Sequence, residues 1–268
     1  MSVDRPRPAR AEFLHLHFDT LDQDATLQAV RQAAQQDRFA YLVTPNVDHV
    51  VGLSRGSDDA PIRAAYEQAD LVLCDSRILQ MLARMSGVDL PLVTGSDLTV
   101  RLLDLVDRPG TGIAVIGGDA ALMAGLKRLH PSIHWAQHEP PMGVRRNPNA
   151  RRAIAEFAEQ ADARYFLFAI GAPQSEIVCA EIAARGKAQG VALCIGASLE
   201  FVTGVKRRAP VAMQTLRLEW LFRLLSEPRR LWRRYLVEGP RIFAIWLRWR
   251  ATRSRPHAGS GSSRAGPS

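Results

Sequence analysis

Cysteine is scarce in this chain: Cys74, Cys179 and Cys194 are its whole complement, widely spaced and odd in number. There is no C-x-x-C pair, which argues against a disulfide framework and a structural zinc site and favours a reducing cytoplasm. Long hydrophobic runs are missing as well. No stretch reaches the ~18 uncharged apolar residues that a spanning helix requires. The longest late apolar patch, Ile242 to Leu247, is far shorter. The first residues, MSVDRPRPARAEF, are basic and proline-rich with no apolar segment behind them, so they do not read as a signal peptide. The chain is therefore not expected to cross a membrane, although it could lie on one. Several chemical signatures are absent too. There is no G-x-G-x-x-G, no phosphate-binding G-x-x-x-x-G-K-[ST], no G-x-S-x-G elbow and no H-E-x-x-H.

What remains is an ordinary globular composition. Of 268 residues 47% are hydrophobic and 23% charged, with 19 Gly and 16 Pro, which excludes collagen, a fully disordered chain and a coiled-coil rod. The length suits one large α/β domain or one domain plus an appendage. The charge is divided unevenly. Residues 1–204 hold 20 Lys/Arg against 24 Asp/Glu, whereas residues 205–250 hold 12 against 3. A mildly acidic body thus carries a strongly basic segment, and that asymmetry points to a polyanionic partner: a membrane surface, nucleic acid or pyrophosphate. Nearly all these basic residues are Arg, which suits bidentate contact with phosphate. The expected units are a body over 11–204, a basic appendage over 205–250 and a Ser/Gly/Pro-rich disordered tail over 251–268.

Short apolar runs alternate with amphipathic stretches through the body. Strands are predicted at Phe13–Phe18, Phe39–Val43, Leu71–Cys74, Ile113–Ile116, Ile133–Gln137, Tyr165–Ile170 and Val191–Ile195. Helices are predicted near 24–36, 57–68, 77–86, 96–107, 119–130, 149–160 and 174–189. This alternation implies βαβ units and a mainly parallel sheet with helices on both faces. Turn signals end several strands: Thr44-Pro45-Asn46, Asp75-Ser76, Gly117-Gly118, Gly171-Ala172-Pro173 and Gly196-Ala197-Ser198. Ligands of open α/β sheets bind outside the carboxyl ends of the strands, so these five loops are expected to converge on one site.

The segment 213–250 differs. Met213, Leu216, Trp220, Leu221 and Leu224 recur at helical spacing, with Glu219 and Arg223 as an i,i+4 pair. Pro228 can start a second helix, and Pro240 would kink it. On one continuous helix Arg230, Arg234, Arg241 and Arg248 fall within about 40° of one another. Trp232, Tyr235, Leu236, Ile242, Phe243 and Trp246 fall opposite. Such a helix lies in a membrane interface with arginine toward lipid phosphates. The plain alternative is that its apolar face packs on the body or on a second copy.

Asp75 is the strongest candidate for chemistry. It ends the apolar run Leu71–Cys74 at the mouth of the expected sheet, where partial desolvation would raise its pKa toward use as a general base. The plain alternative is a cap for the following helix. Thr44 and Asn46 could bind sugar hydroxyls or phosphate, or simply make a turn. Gly117-Gly118-Asp119 could cradle a phosphate at a helix start. Asp22-Gln23-Asp24 has the D-x-D spacing of metal-dependent glycosyltransferases but precedes a helix, so capping explains it better. The seven histidines show no ligand spacing, and no metal site is expected.

Taken together, these segments resemble the WecG/TagA/CpsF glycosyltransferases (family 26). The likeness rests on Thr44-Pro45-Asn46, Asp75, Gly95-Ser96-Asp97-Leu98, Gly117-Gly118, Gly171-Ala172-Pro173 and GASLEFVTGVKRRAP over 196–210. It continues through Leu218-Glu219-Trp220, Arg223-Leu224, Glu227-Pro228 and Arg234-Tyr235. The resemblance implies a Rossmann-like fold and an inverting transferase with no cofactor. Such an enzyme moves an N-acetylmannosamine-type sugar, a hexose or a uronic acid from a UDP donor to an undecaprenyl-diphosphate-linked acceptor. It would work at the cytoplasmic membrane face in cell-surface polysaccharide assembly, with the appendage docking on the membrane and closing over the site. By position Asp75 would be the base, and Thr44 and Asn46 would line the sugar site. Gly95, Asp97, Gly117, Gly118, Gly171, Pro173, Gln174, Glu176, Glu200 and Arg208 would contact substrate. Arg223, Arg230, Arg234 and Arg241 would meet membrane or acceptor diphosphate. The partners implied are the donor, the acceptor and an anionic membrane surface, with a homo-oligomer left open.

The chain departs from the family pattern at four places. Ser76 stands for Gly, Leu92 for Arg, Ser175 for the Gln of G-x-P-x-Q-E, and Glu200 for Asp. The Leu92 and Ser175 departures motivate a rival expectation, a non-catalytic nucleotide-sugar- or lipid-binding scaffold of a polysaccharide assembly complex. A nucleic-acid binder acting through the basic segment would instead show steeply salt-dependent DNA affinity. The aromatic face opposite the arginines favours lipid, and no nucleic-acid partner is expected.

Overall fold

The computed structural model describes residues 9–54, 60–206, 213 and 219–253. A small antiparallel hairpin opens the chain, β1 (Arg10–Phe13) with β2 (Leu16–Asp19). Six parallel strands follow: β3 (Phe39–Val43), β4 (Leu71–Val72), β5 (Gly112–Ile116), β6 (His134–His138), β7 (Tyr165–Phe168) and β8 (Gly190–Cys194). Their order across the sheet is β4-β3-β8-β7-β5-β6, and every pairing is parallel. The expected Rossmann-like α/β fold is therefore present.

The sheet is buried on both faces, which is why its strands read as unbroken apolar runs. Alternate residues serve opposite layers. Phe39, Tyr41, Val43, Phe166, Phe168, Ala192 and Cys194 face one core, and Ala40, Leu42, Leu167, Val191 and Leu193 face the other. The first core is covered by α2 (Val47–Leu53), α3 (Ala60–Gln68), α4 (Arg77–Arg84), α7 (Pro148–Gln160) and α8 (Gln174–Arg185). The second is covered by α1 (Gln23–Ala34), α5 (Gly95–Val106), α6 (Ala120–Leu129) and the short α9 (Ser198–Val202). The cysteines are free and buried. Burial pushes the Cys74 thiol up to about 12, which makes it chemically inert.

Local chemistry explains where elements depart from the expected ones. The run Phe13–Phe18, expected as one strand, folds back at Leu14 and His15, which both take positive φ (52° and 63°). That is the geometry of a two-residue hairpin turn. Leu14 is buried beside Phe13, and this burial offsets the cost of a left-handed leucine. α8 stops at Arg185, short of the expected 189, because Gly186 takes the left-handed position (φ 65°) that ends helices. Helix α2 follows the Thr44-Pro45-Asn46 turn where only a turn was expected.

The appendage comprises α10 (Glu219–Ser226), α11 (Pro228–Trp232), a π-helical segment (Arg233–Glu238) and α12 (Arg241–Arg253). Pro228 occupies the first turn of α11 as expected. The single kinked amphipathic helix is not what forms. The wider π-helical turns and the break at Gly239-Pro240 interrupt the 100° register, so residues before and after them do not share one face. Ile242 and Trp246, expected opposite the arginines toward lipid, are buried against the body together with Trp249. Trp249 meets Phe13 edge-on at 5.1 Å, and Trp246 Nε1 donates to Ser86 Oγ at 2.8 Å. Trp232, Leu236, Val237, Phe243 and Leu247 remain exposed. Residues 251–253, expected to be tail, complete α12, and the rest of that tail lies outside the described residues. Among the described residues no helix is long and apolar enough to cross a membrane.

Candidate active site

Parallel pairing brings the carboxyl ends of β3, β4 and β8 to one edge, and backbone hydrogen bonds hold them in line. Leu73 N donates to Val43 O (2.9 Å) and Asp75 N to Pro45 O (3.1 Å). Thr44, buried at the end of β3, donates its hydroxyl to Cys194 O at the end of β8 (3.3 Å). Cys74 and Leu92 form a parallel bridge, with Val93 N donating to Cys74 O (3.0 Å). That bridge brings the start of α5 to the end of β4.

There Gly95 N donates to Asp75 Oδ2 at 3.1 Å. A methyl group placed on Gly95 would lie 3.3 Å from Thr44 Oγ1, 3.5 Å from Asp75 Oδ2 and 3.5 Å from Ser198 Oγ. Four chain segments thus meet at one point, and glycine is the residue that leaves their oxygens room. Asp75 is not consumed as a helix cap, because Ser76 takes that duty, its Oγ accepting from Leu79 N at 3.2 Å. The Asp75 carboxylate is half-buried and fixed by a backbone N–H at the positive end of a twelve-residue helix. Ser198 was not among the expected site residues. Its sequence signals were its place in one of the five converging turns and in the segment GASLEFVTGVKRRAP.

The other expected residues divide into groups. Asn46 lies in the same turn as Thr44 and caps α2: its Oδ1 accepts from Asp48 N (3.0 Å), while its own N–H donates to His49 Nδ1 (3.0 Å). Asp97 is exposed and closes a reciprocal cap with Thr94 at the start of α5. Gly117 and Gly118 form a tight turn after β5 with φ of 98° and 71°. A Cβ on Gly117 would come within 2.9 Å of Ile170 Cγ2, and Gln137 Nε2 donates to both glycine carbonyls (3.2 and 3.0 Å). Gly171 and Pro173 lead from β7 into α8, where Gln174 donates its amide back to Ile170 O. Neither Pro173 nor Ala197 caps its helix with a side chain. Three strand positions separate β3 from β5 in the sheet, a span of about 14 Å along this edge.

Glu176 faces inward. It is 3% exposed and accepts from Tyr66 Oη at 3.4 Å, and burial pushes its carboxyl up to about 7. Its place is beneath the edge, linking α8 to α3. Ser175, which replaces the family's glutamine, is also buried and donates to Gly171 O (3.0 Å). Glu200 on α9 pairs with Lys206 at 2.5 Å. Arg208 lies outside the described residues. Arg223, Arg230 and Arg234 fall on α10, α11 and the π-helical segment, and Arg241 is exposed at the start of α12. The D-x-D segment serves structure: Asp22 caps α1 (2.8 Å to Ala25 N) and Asp24 pairs with Arg101 at 2.5 Å.

A doubly wound parallel sheet with a carboxylate, hydroxyls and helix starts gathered at its carboxyl edge defines an α/β protein built to act on a ligand laid across that edge. The particular family follows from the whole chain: residues 11–256 match the glycosyl transferase WecG/TagA/CpsF family, and the protein belongs to it. It is a glycosyltransferase by family.

Proposed function

We propose that the chain is an inverting glycosyltransferase using a UDP-sugar donor and an undecaprenyl-diphosphate-linked acceptor in cell-surface polysaccharide biosynthesis. The observation that carries this reading is Asp75, fixed by Gly95 N–H beside Thr44 and Ser198 at the carboxyl edge. Inversion requires one base. The Asp75 carboxylate takes the proton from the acceptor hydroxyl, whose oxygen attacks the donor's anomeric carbon as the bond to the diphosphate breaks from the opposite face. UDP leaves with the electron pair. The developing charge would be met by backbone N–H groups at the carboxyl edge and by appendage arginines. The donor then extends from the Thr44–Asp75 cluster toward Gly117-Gly118, with its sugar over β3 and β8.

The appendage adds the second half of the proposal. Trp232, Leu236, Val237, Phe243 and Leu247 are exposed among the arginines Arg229, Arg233, Arg241 and Arg248. Aromatic and aliphatic groups interleaved with guanidinium suit docking on an anionic membrane surface, where the acceptor's lipid resides. The enzyme would work on the inner face of the bacterial cytoplasmic membrane.

A panel of UDP-sugars with a short-chain polyprenyl-diphosphate-linked sugar tests this. One donor is expected to yield a glycoside of inverted anomeric configuration by NMR. The buried Ser175, its hydroxyl spent on Gly171 O, favours a second reading in which donor contacts are lost and the protein binds UDP-sugar or lipid as a scaffold. UDP binding with no turnover of any donor would support that reading instead.

A further inference from the structure

A basic side chain bridges the body and the appendage. Lys206 N donates to Glu200 O (2.9 Å), turning the chain back along α9. Its Nζ lies 2.5 Å from Glu200 Oε2 and 3.7 Å from Glu227 Oε1. Glu200 stands on α9, the helix that begins at Ser198 in the candidate site. Glu227 immediately precedes Pro228, the first residue of α11 in the appendage. Some twenty residues of chain separate the two halves of this contact, so it is a tertiary clasp rather than a local one. The lysine and both carboxylates are each about one-third exposed.

We propose that Lys206 is a positioning residue: by bridging Glu200 and Glu227 it holds the start of α11 against α9 at the carboxyl edge of the sheet. An ammonium group suits the task, because its three donors on a flexible stem can serve two carboxylates that do not share a plane. Two acids on one base leave the cluster with a net negative charge, and salt that screens the lysine's attraction loosens both arms. A clasp of partly exposed ions is weak and reversible. It sets where the appendage rests, yet lets the appendage lift for a donor to enter and product to leave. Glu200 stands on the same short helix as Ser198, so the position of the appendage and the shape of the site are coupled through α9. The kinetic consequence rests on the transferase reading above, whereas the clasp itself does not.

Hydrogen–deuterium exchange on the full-length protein without substrate separates the two. In low salt, Lys206→Met and Glu227→Gln are each expected to speed exchange across 219–232 by about twofold to fivefold, the worth of one exposed ion pair. The double variant should exchange no faster than either single one, because both remove the same contact. Lys206→Arg keeps the charge and should stay close to wild type, and high salt should bring wild type to the level of the variants. Melting temperature serves as the control for folding. Unchanged exchange in Lys206→Met, or additive effects in the double variant, would overturn the clasp. With a productive donor, Lys206→Met should raise donor KM severalfold while kcat stays within about twofold, and Lys206→Arg should restore KM. An unchanged KM despite faster exchange would overturn the coupling to the site. Faster exchange with no donor turned over by wild type would leave the clasp standing and count against the transferase.

Discussion

Asp75 Oδ2 accepts the backbone N–H of Gly95 at 3.1 Å, joining the end of β4 to the start of α5. The same glycine leaves the gap into which Thr44 and Ser198 also project. Gly95→Ala would put a methyl group 3.3 Å from Thr44 Oγ1, closer than most side-chain carbons approach a neighbour. The Thr44 hydroxyl would shift by tenths of an ångström, while Asp75 and Ser198 would meet the methyl at ordinary contact distance. Since Gly95 lies in the first turn of a helix, alanine suits its backbone and the melting temperature should change little. We expect kcat/KM to fall about tenfold, in keeping with the sensitivity of reacting groups to small misplacement. Parallel measurement of kinetics and thermal stability checks both halves.

Glu176 gives the fold a pH dependence of definite sign. Its folded pKa is raised to about 7 from 4.5 by burial, so between those values the folded protein holds a proton that the unfolded chain releases. Its contribution to stability is full below about pH 4.5 and is lost as pH rises through about 7. The loss is on the order of 3 kcal/mol. Glu176→Gln, which keeps the shape and a partner for Tyr66, should be more stable than wild type at pH 8 and similar to it at pH 4.5. Urea unfolding of both proteins at the two pH values measures the difference.

The buried and exposed sides of the appendage can be tested apart. Deleting residues 213–268 would strip Ile242, Trp246 and Trp249 from the core along with the exposed groups, confounding membrane binding with unfolding. Replacing Trp232, Leu236 and Leu247 together by serine removes half-exposed apolar groups and leaves Ile242, Trp246 and Trp249 in the core. That variant should keep its melting temperature within a degree or two and lose most co-sedimentation with anionic vesicles. Retained co-sedimentation would contradict the docking face.

Trp249→Ala probes the opposite side. Trp249 is 3% exposed and packs edge-on against Phe13 of the hairpin, so truncation should cost about 3–5 kcal/mol. Trp246→Phe keeps an aromatic ring in place but loses the bond to Ser86 Oγ and part of the indole's volume, at about 1–2 kcal/mol. Denaturant titrations should rank the two in that order.

The parallel sheet was legible because both its faces are buried, so each strand carries an apolar run bounded by turn residues. Asp75 was legible for the same reason: it is the first polar residue past such a run. The Leu14-His15 turn was not, since it lacks the glycine or asparagine that usually marks positive φ, and tertiary burial of Leu14 supplies what local chemistry does not. The appendage misled for a different reason. Angular register holds only along an unbroken α-helix, and nothing in Arg233–Glu238 announces π-helical turns. Ser198 and Lys206 lie within the segment GASLEFVTGVKRRAP, but nothing in that segment says what either side chain touches. Their roles come from parallel pairing and from a contact between residues far apart in the chain. Glu176 reads in the sequence as one more polar residue at a helix start, and only the packing of α8 on α3 shows that its carboxyl points inward.

The central claim is tested most directly by acceptor-dependent UDP release from wild type and Asp75→Asn with the productive donor. The amide keeps the side chain's shape and can still accept from Gly95 N–H, so the fold and UDP affinity should persist while turnover drops at least about a hundredfold. A variant that binds UDP and turns over at the wild-type rate would contradict the assignment of Asp75 as the base.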